Sequence, residues 1–202
     1  AANGVQLGTN VTLGSNTNRV NLQAEYGTVV ISAGGVIWGN VQTTSGAVSA
    51  TSATVNGNVQ TNNTYTHNSG VVNGTINANN GVTLTGVAVS GTVTANSDVN
   101  LTGGSVAGRV TSSSNRVITN GTNLAAGATA QSGFAITGGT IAGSFVLNAN
   151  TAATFTGVTM TSGSISGAST VTISNSQLGS ASNMINVSSN SGAVTLNNNS
   201  VV

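Results

Sequence analysis

The sequence predicts an all-β chain folded as a three-faced parallel β-helix, a β-solenoid of about 17–19 residues per coil and about 11 coils. Three observations lead there. A phrase centred on glycine recurs at Gly39 (IWGNV), Gly57 (VNGNV), Gly74 (VNGTI), Gly91 (VSGTV), Gly108 (VAGRV), Gly143 (IAGSF) and Gly163 (TSGSI), in sequence steps of 18, 17, 17, 17, 35 and 20. Apolar residues fall in pairs two apart, such as Val87/Val89, Val93/Ala95 and Val99/Leu101, the period of a strand with one buried face. A tight corner is marked by Thr or Ser followed by Gly or Asn, the two residues that best accept positive φ.

Each repeat supplies three short strands, too few for a sheet of their own but enough for one coil in which every strand pairs with its copy in the next. At roughly 4.8 Å per coil the rod should be roughly 50 Å long. The third strand of the repeat leads into the corner at Gly86, Gly103, Asn120, Gly138, Gly157 and Asn175. The residue before each, namely Thr85, Thr102, Thr119, Thr137, Thr156 and Ser174, forms an outward file of hydroxyls. A further ladder of Asn62, Asn79 and Asn96 lies at a bend, where stacked amides can bond along the axis. The column Val41, Val59, Ile76, Val93, Val110, Phe145 and Ile165 forms an apolar spine, and the step of 35 hides one degenerate repeat across residues 124–140. The chain reads as a single solenoid domain, 1–202, with irregular coils over 1–36, regular coils over 37–178 and irregular coils over 179–202. Gly and Asn are too frequent, and β-branched residues too dominant, for a helix.

Composition limits the chemistry. The chain of 202 residues holds three Arg and two carboxylates, Glu25 and Asp98, with no Cys and no Pro, and only 2% of its residues are charged. General acid/base catalysis therefore lacks its usual groups, and no enzyme activity, metal, cofactor or nucleic-acid partner is expected. No run of 18 apolar residues exists to span a membrane as a helix. His67 falls on an inward column, Trp38 outward beside inward Ile37, and Phe134, Phe145 and Phe155 inward. Asp98 and Arg116 share a corner in consecutive coils, where they are expected to pair. A strict 17-residue step would turn Arg116 inward, so a bulge that turns Val117 in is expected there.

The block from Val72 to Ile118, which includes VNGTINANNGVTLTGVAVSGTVTANSDVNLTGGSVAGRV, resembles the rung of bactofilins. That resemblance implies a right-handed β-helix and polymers that assemble end to end without nucleotide. The Asn/Thr/Gly-rich composition is closer to exported adhesin passengers and surface fibres, which implies an extracellular or cell-surface setting.

Both ends carry strand pairs, Val5/Leu7 at one and Val194/Leu196 followed by Val201 and Val202 at the other, with no Lys or Pro to blunt them. The function expected is a structural filament subunit whose partner is another copy, head to tail. An ice-binding solenoid using the outward Thr ranks is the alternative, in which Thr83/Thr85, Thr154/Thr156 and Thr172/Ser174 fit and Asn100, Val117 and Ala135 interrupt the first file. A glycan-binding surface module, resting on Trp38, is the third reading.

Overall fold

The computed structural model of the chain describes residues 4–149, 151–198 and 200–201. These residues contain no helix; every named strand belongs to one 26-stranded parallel sheet wound into stacked coils. A coil runs through three faces in turn. Strand 82–89 shows the path: Val82 and Leu84 lie on the first face, the chain bends at Gly86, and Val87 and Val89 lie on the second. The strand Val93–Ala95 then makes the third face.

The coil starts Val29, Val48, Tyr65, Val82, Val99, Val117, Phe134, Ala153 and Val171 are separated by regular sequence steps of 17, 18 or 19. The steps outside them are longer, 24 from Val5 to Val29 and 23 from Val171 to Val194. The solenoid thus has about nine turns rather than about 11, because loops at both ends consume chain without adding a regular rung.

Columns of inward side chains fill the centre. The predicted spine is continuous, and Ala128 bridges Val110 and Phe145 across the degenerate repeat. Phe134, Phe145 and Phe155 meet inside with ring centroids 5.6–6.2 Å apart. Small polar residues occupy one inner corner, where their hydroxyls donate to backbone carbonyls: Thr61 Oγ1 to Gly46 at 2.7 Å and Ser112 Oγ to Ser97 at 2.7 Å. Those bonds satisfy groups that would otherwise be costly to bury.

Two kinds of glycine shape the coil. At the first corner Gly86, Gly103, Gly138 and Gly157 have φ between +60° and +64°, and Asn175 has +51°, so these positions require tolerance of the left-handed region. The recurring glycines Gly57, Gly74, Gly91 and Gly108 do not have positive φ. They are needed for close approach, since a Cβ at each would strike the backbone of the preceding coil.

The corner at Asn120 is corrected. The coil from Val99 to Val117 is longer by one than the coil from Val82 to Val99, and the additional residue falls within 113–116, after Ser112 has paired with Ala95 in the usual step of 17. Val117 does turn inward, as the bulge requires, but the shift persists along the strand: Leu101 pairs with Thr119 and Thr102 with Asn120. Thr119 is therefore buried, Ile118 faces outward, and the left-handed corner residue is Gly121, φ +67°. Asn120 takes the outward place assigned to Thr119.

Candidate functional surfaces

With almost no ionisable side chains, the outer faces and the two ends are the places where this molecule can present chemistry. On the first face an outward file runs Thr51, Asn68, Thr85, Thr102, Asn120, Thr137, Thr156, Ser174 and Asn197. Two residues earlier on each strand a second file runs Ser49, Thr66, Thr83, Asn100, Ile118, Ala135, Thr154, Thr172 and Thr195. Paired hydroxyls stand on the rungs at Thr83/Thr85, Thr154/Thr156 and Thr172/Ser174. The break between them contains Ile118, and not Val117, which is in the core.

The displaced Thr119 hydroxyl has no hydrogen-bond partner among the described residues, and neither has the buried Thr122 hydroxyl on the other side of Gly121. The strand register places Thr119 between the apolar side chains of Leu101 and Ile136.

The amide ladder forms in short runs. Asn79 Nδ2 donates to Asn62 Oδ1 at 3.1 Å, and the backbone N–H of Asn96 continues the same bend by donating to Ala78. Further amide bonds were not anticipated: Asn80 to Asn63 at 3.1 Å, Asn73 to Asn56 at 2.8 Å, and Asn21, Asn40 and Asn58 each accepting a backbone N–H from the following coil. Their signal was present as Asn recurring at the coil period.

The charged groups act locally. Asp98 Oδ1 accepts the backbone N–H of Arg116 at 3.0 Å, so the expected ion pair is replaced by a carboxylate holding a bend. Arg109 spreads over the next coil, with Nε donating to Thr129 Oγ1 at 2.9 Å and Nη2 to the Ala128 carbonyl at 3.2 Å. Among the described residues no group of three or more His, Cys, Asp or Glu is arranged to hold a metal ion. No described helix is long and apolar enough to cross a membrane.

His67 does occupy the inward column, between Ala50 and Leu84, and Tyr65 lies inward beside it. The Tyr65 hydroxyl and His67 Nδ1 are 2.8 Å apart, and His67 Nε2 has no hydrogen-bond partner among the described residues. Burial pushes the imidazole down to about 4 against the opposing pull of the Ala53 and Ser69 backbone, and burial pushes the Tyr65 phenol up.

At the ends the two predicted strand pairs differ. Leu7 is buried and Val5 half-buried, whereas Val194, Leu196 and Val201 are 42%, 49% and 63% exposed. Val202 lies outside the described residues. Every large apolar side chain exposed among the described residues belongs to the first or last coils: Val11, Val20 and Tyr26, then Met184, Val194, Leu196 and Val201. A loop near the last coil, with Met184 exposed on it, borders a groove of about 510 Å³ that Val201 also lines.

The sequence matches no family model, and neither a curated protein nor a solved structure is significantly similar to the chain. The structure shows a β-solenoid of stacked parallel coils, and no family match supports a bactofilin or adhesin identity.

Proposed function

We propose that this protein is a structural subunit of an extracellular or cell-surface filament, assembling head to tail with copies of itself. The observation that supports this reading is the confinement of exposed large apolar side chains to the first and last coils, while the described residues of the body between them expose none. Strand edges beside apolar columns favour another coil in the same register, and a chain with five formal charges offers little repulsion against it. A head-to-tail contact of this type does not close, so its product is a filament rather than a discrete oligomer. Sedimentation and electron microscopy across a concentration series test it: growing linear particles are expected, and a persistent monomer would refute it.

One observation favours a second reading. The paired hydroxyl ranks Thr154/Thr156 and Thr172/Ser174 stand on adjacent rungs at the spacing of a parallel sheet, with a third pair at Thr83/Thr85, an arrangement suited to ordered water at an ice surface. The test is thermal hysteresis at micromolar protein. Its presence in a monomeric sample, and its loss on replacing Thr85 and Thr156 with a bulky residue, would favour ice binding over the filament.

A further inference from the structure

The solenoid has one tryptophan, and it stands on the outer surface of the second face in a polar setting. Ile37 is fully buried and Trp38 follows it, half-buried, on the outward side. In the next two coils the equivalent positions are Asn56, whose N–H donates to the Ile37 carbonyl at 2.8 Å, and Asn73, whose N–H donates to the Val55 carbonyl at 2.8 Å. The three side chains therefore form a file that spans two rungs, roughly 10 Å. Beside it, Val36 and Val71 are half-buried on the same outer face.

Arg19 joins this file from the first coil. Its Nη1 donates to the Asn56 carbonyl at 3.3 Å, so the exposed guanidinium is held where the Trp38 file passes. Among the described residues its remaining N–H groups donate to no protein acceptor. Asn73 Nδ2 donates to Asn56 Oδ1 at 2.8 Å, which fixes both amides while leaving Asn56 Nδ2 and Asn73 Oδ1 without a partner among the described residues. An aromatic surface, apolar flanks, an amide donor and acceptor fixed in orientation, and one guanidinium without a carboxylate partner have thus converged on a patch about as long as a disaccharide.

We infer that this patch binds an acidic saccharide, with one pyranose ring stacked on Trp38, its hydroxyls on Asn56 and Asn73, and a uronate carboxylate on Arg19. The apolar C–H face of a pyranose suits an aromatic platform, and a few well-placed polar groups then set orientation. A carboxylate is the anion that the planar guanidinium accepts through two parallel N–H bonds.

Trp38 is the sole tryptophan, so the intrinsic tryptophan fluorescence of the whole protein reports on the patch alone. Titration with oligogalacturonate should produce a saturable change in emission, and its methyl-esterified neutral form should bind about tenfold more weakly. The exposed variant Arg19→Gln should abolish that tenfold preference, while Asn73→Ala should weaken both ligands; an unchanged circular dichroism spectrum would show that each variant is folded. No saturable change with either saccharide, equal affinity for the two, or an unaltered preference in Arg19→Gln would each overturn the inference.

Discussion

Gly91 lies directly against Gly74 of the preceding coil: a Cβ built on Gly91 would come 2.5 Å from the Gly74 carbonyl oxygen. A rigid backbone atom on the far side cannot swing away, so at Gly91 glycine is a requirement of stacking and not of backbone conformation. Gly86 has the opposite character, with φ +62° and nothing within 4 Å of the place a Cβ would occupy. Gly91→Ala should therefore cost about 3 kcal/mol through overpacking, and Gly86→Ala only about 1 kcal/mol through the left-handed penalty. Denaturant unfolding of the two variants checks this, and equal losses would contradict it.

Gly103 tests the corner by side-chain type. Its φ is +62°, matching the conformation that Asn175 adopts at the same corner further along the rod. Gly103→Asn should be nearly neutral, whereas Gly103→Val should cost about 1–2 kcal/mol. Thermal melts that place both variants together would remove the corner assignment.

Thr119 carries a buried hydroxyl without a partner among the described residues, in a column of apolar neighbours. Replacing it with the near-isosteric Val removes the unsatisfied group and leaves the volume, so Thr119→Val should stabilise the protein by about 1 kcal/mol. A lower unfolding midpoint would mean that the hydroxyl has a partner after all.

His67 makes stability depend on pH. Its folded value of about 4 lies below the unfolded value of 6.5, so the unfolded chain binds the proton more readily. Stability should be complete above pH 6.5, fall as pH drops towards 4, and level off below it, with a total loss of about 3 kcal/mol. Between pH 6.5 and 5 the ordinary carboxylate range has not been reached, so the decline there belongs to His67. The variant His67→Phe should have a flat profile over that interval; an undiminished slope would assign the effect elsewhere.

Much of the fold was legible because each coil repeats a small set of obligations. Val93, Val110 and Phe145 had to face inward for the alternating pattern to bury anything, and Gly86 and Asn175 had to mark a corner that few other residues tolerate. The misplacement of Thr119 has a simple cause. An additional residue within 113–116 lengthens the coil by one, and Ile118-Thr119 reads as an inward-outward pair as well as an outward-inward one when only the pattern is seen. Hydrogen bonds from Thr61 and Ser112 to nearby backbone carbonyls make polar residues acceptable inside, and nothing in local hydrophobicity signals that. The Arg19 contact was hidden for another reason: it joins residues 37 positions apart, two coils away, where a long side chain crosses the repeat instead of following it.

The outer surface was less legible than the core, since outward positions obey no packing rule. Asn recurring at the coil period announced ladders, but which amides meet depends on rotamers and on bends that vary from coil to coil. The ends were legible as strand pairs, yet the difference between buried Leu7 and exposed Leu196 was not, because the alternating pattern is the same at both.

End-to-end assembly is read out by sedimentation of the unmodified protein with parallel electron microscopy. Concentration-dependent filaments are expected, with a strand spacing of roughly 4.8 Å that runs unbroken along the axis. Val194→Lys with Leu196→Lys, at exposed positions of the last first-face strand, should give short soluble species with the central coils folded. A single monomeric boundary at high concentration, with no filaments in the micrographs, would contradict it.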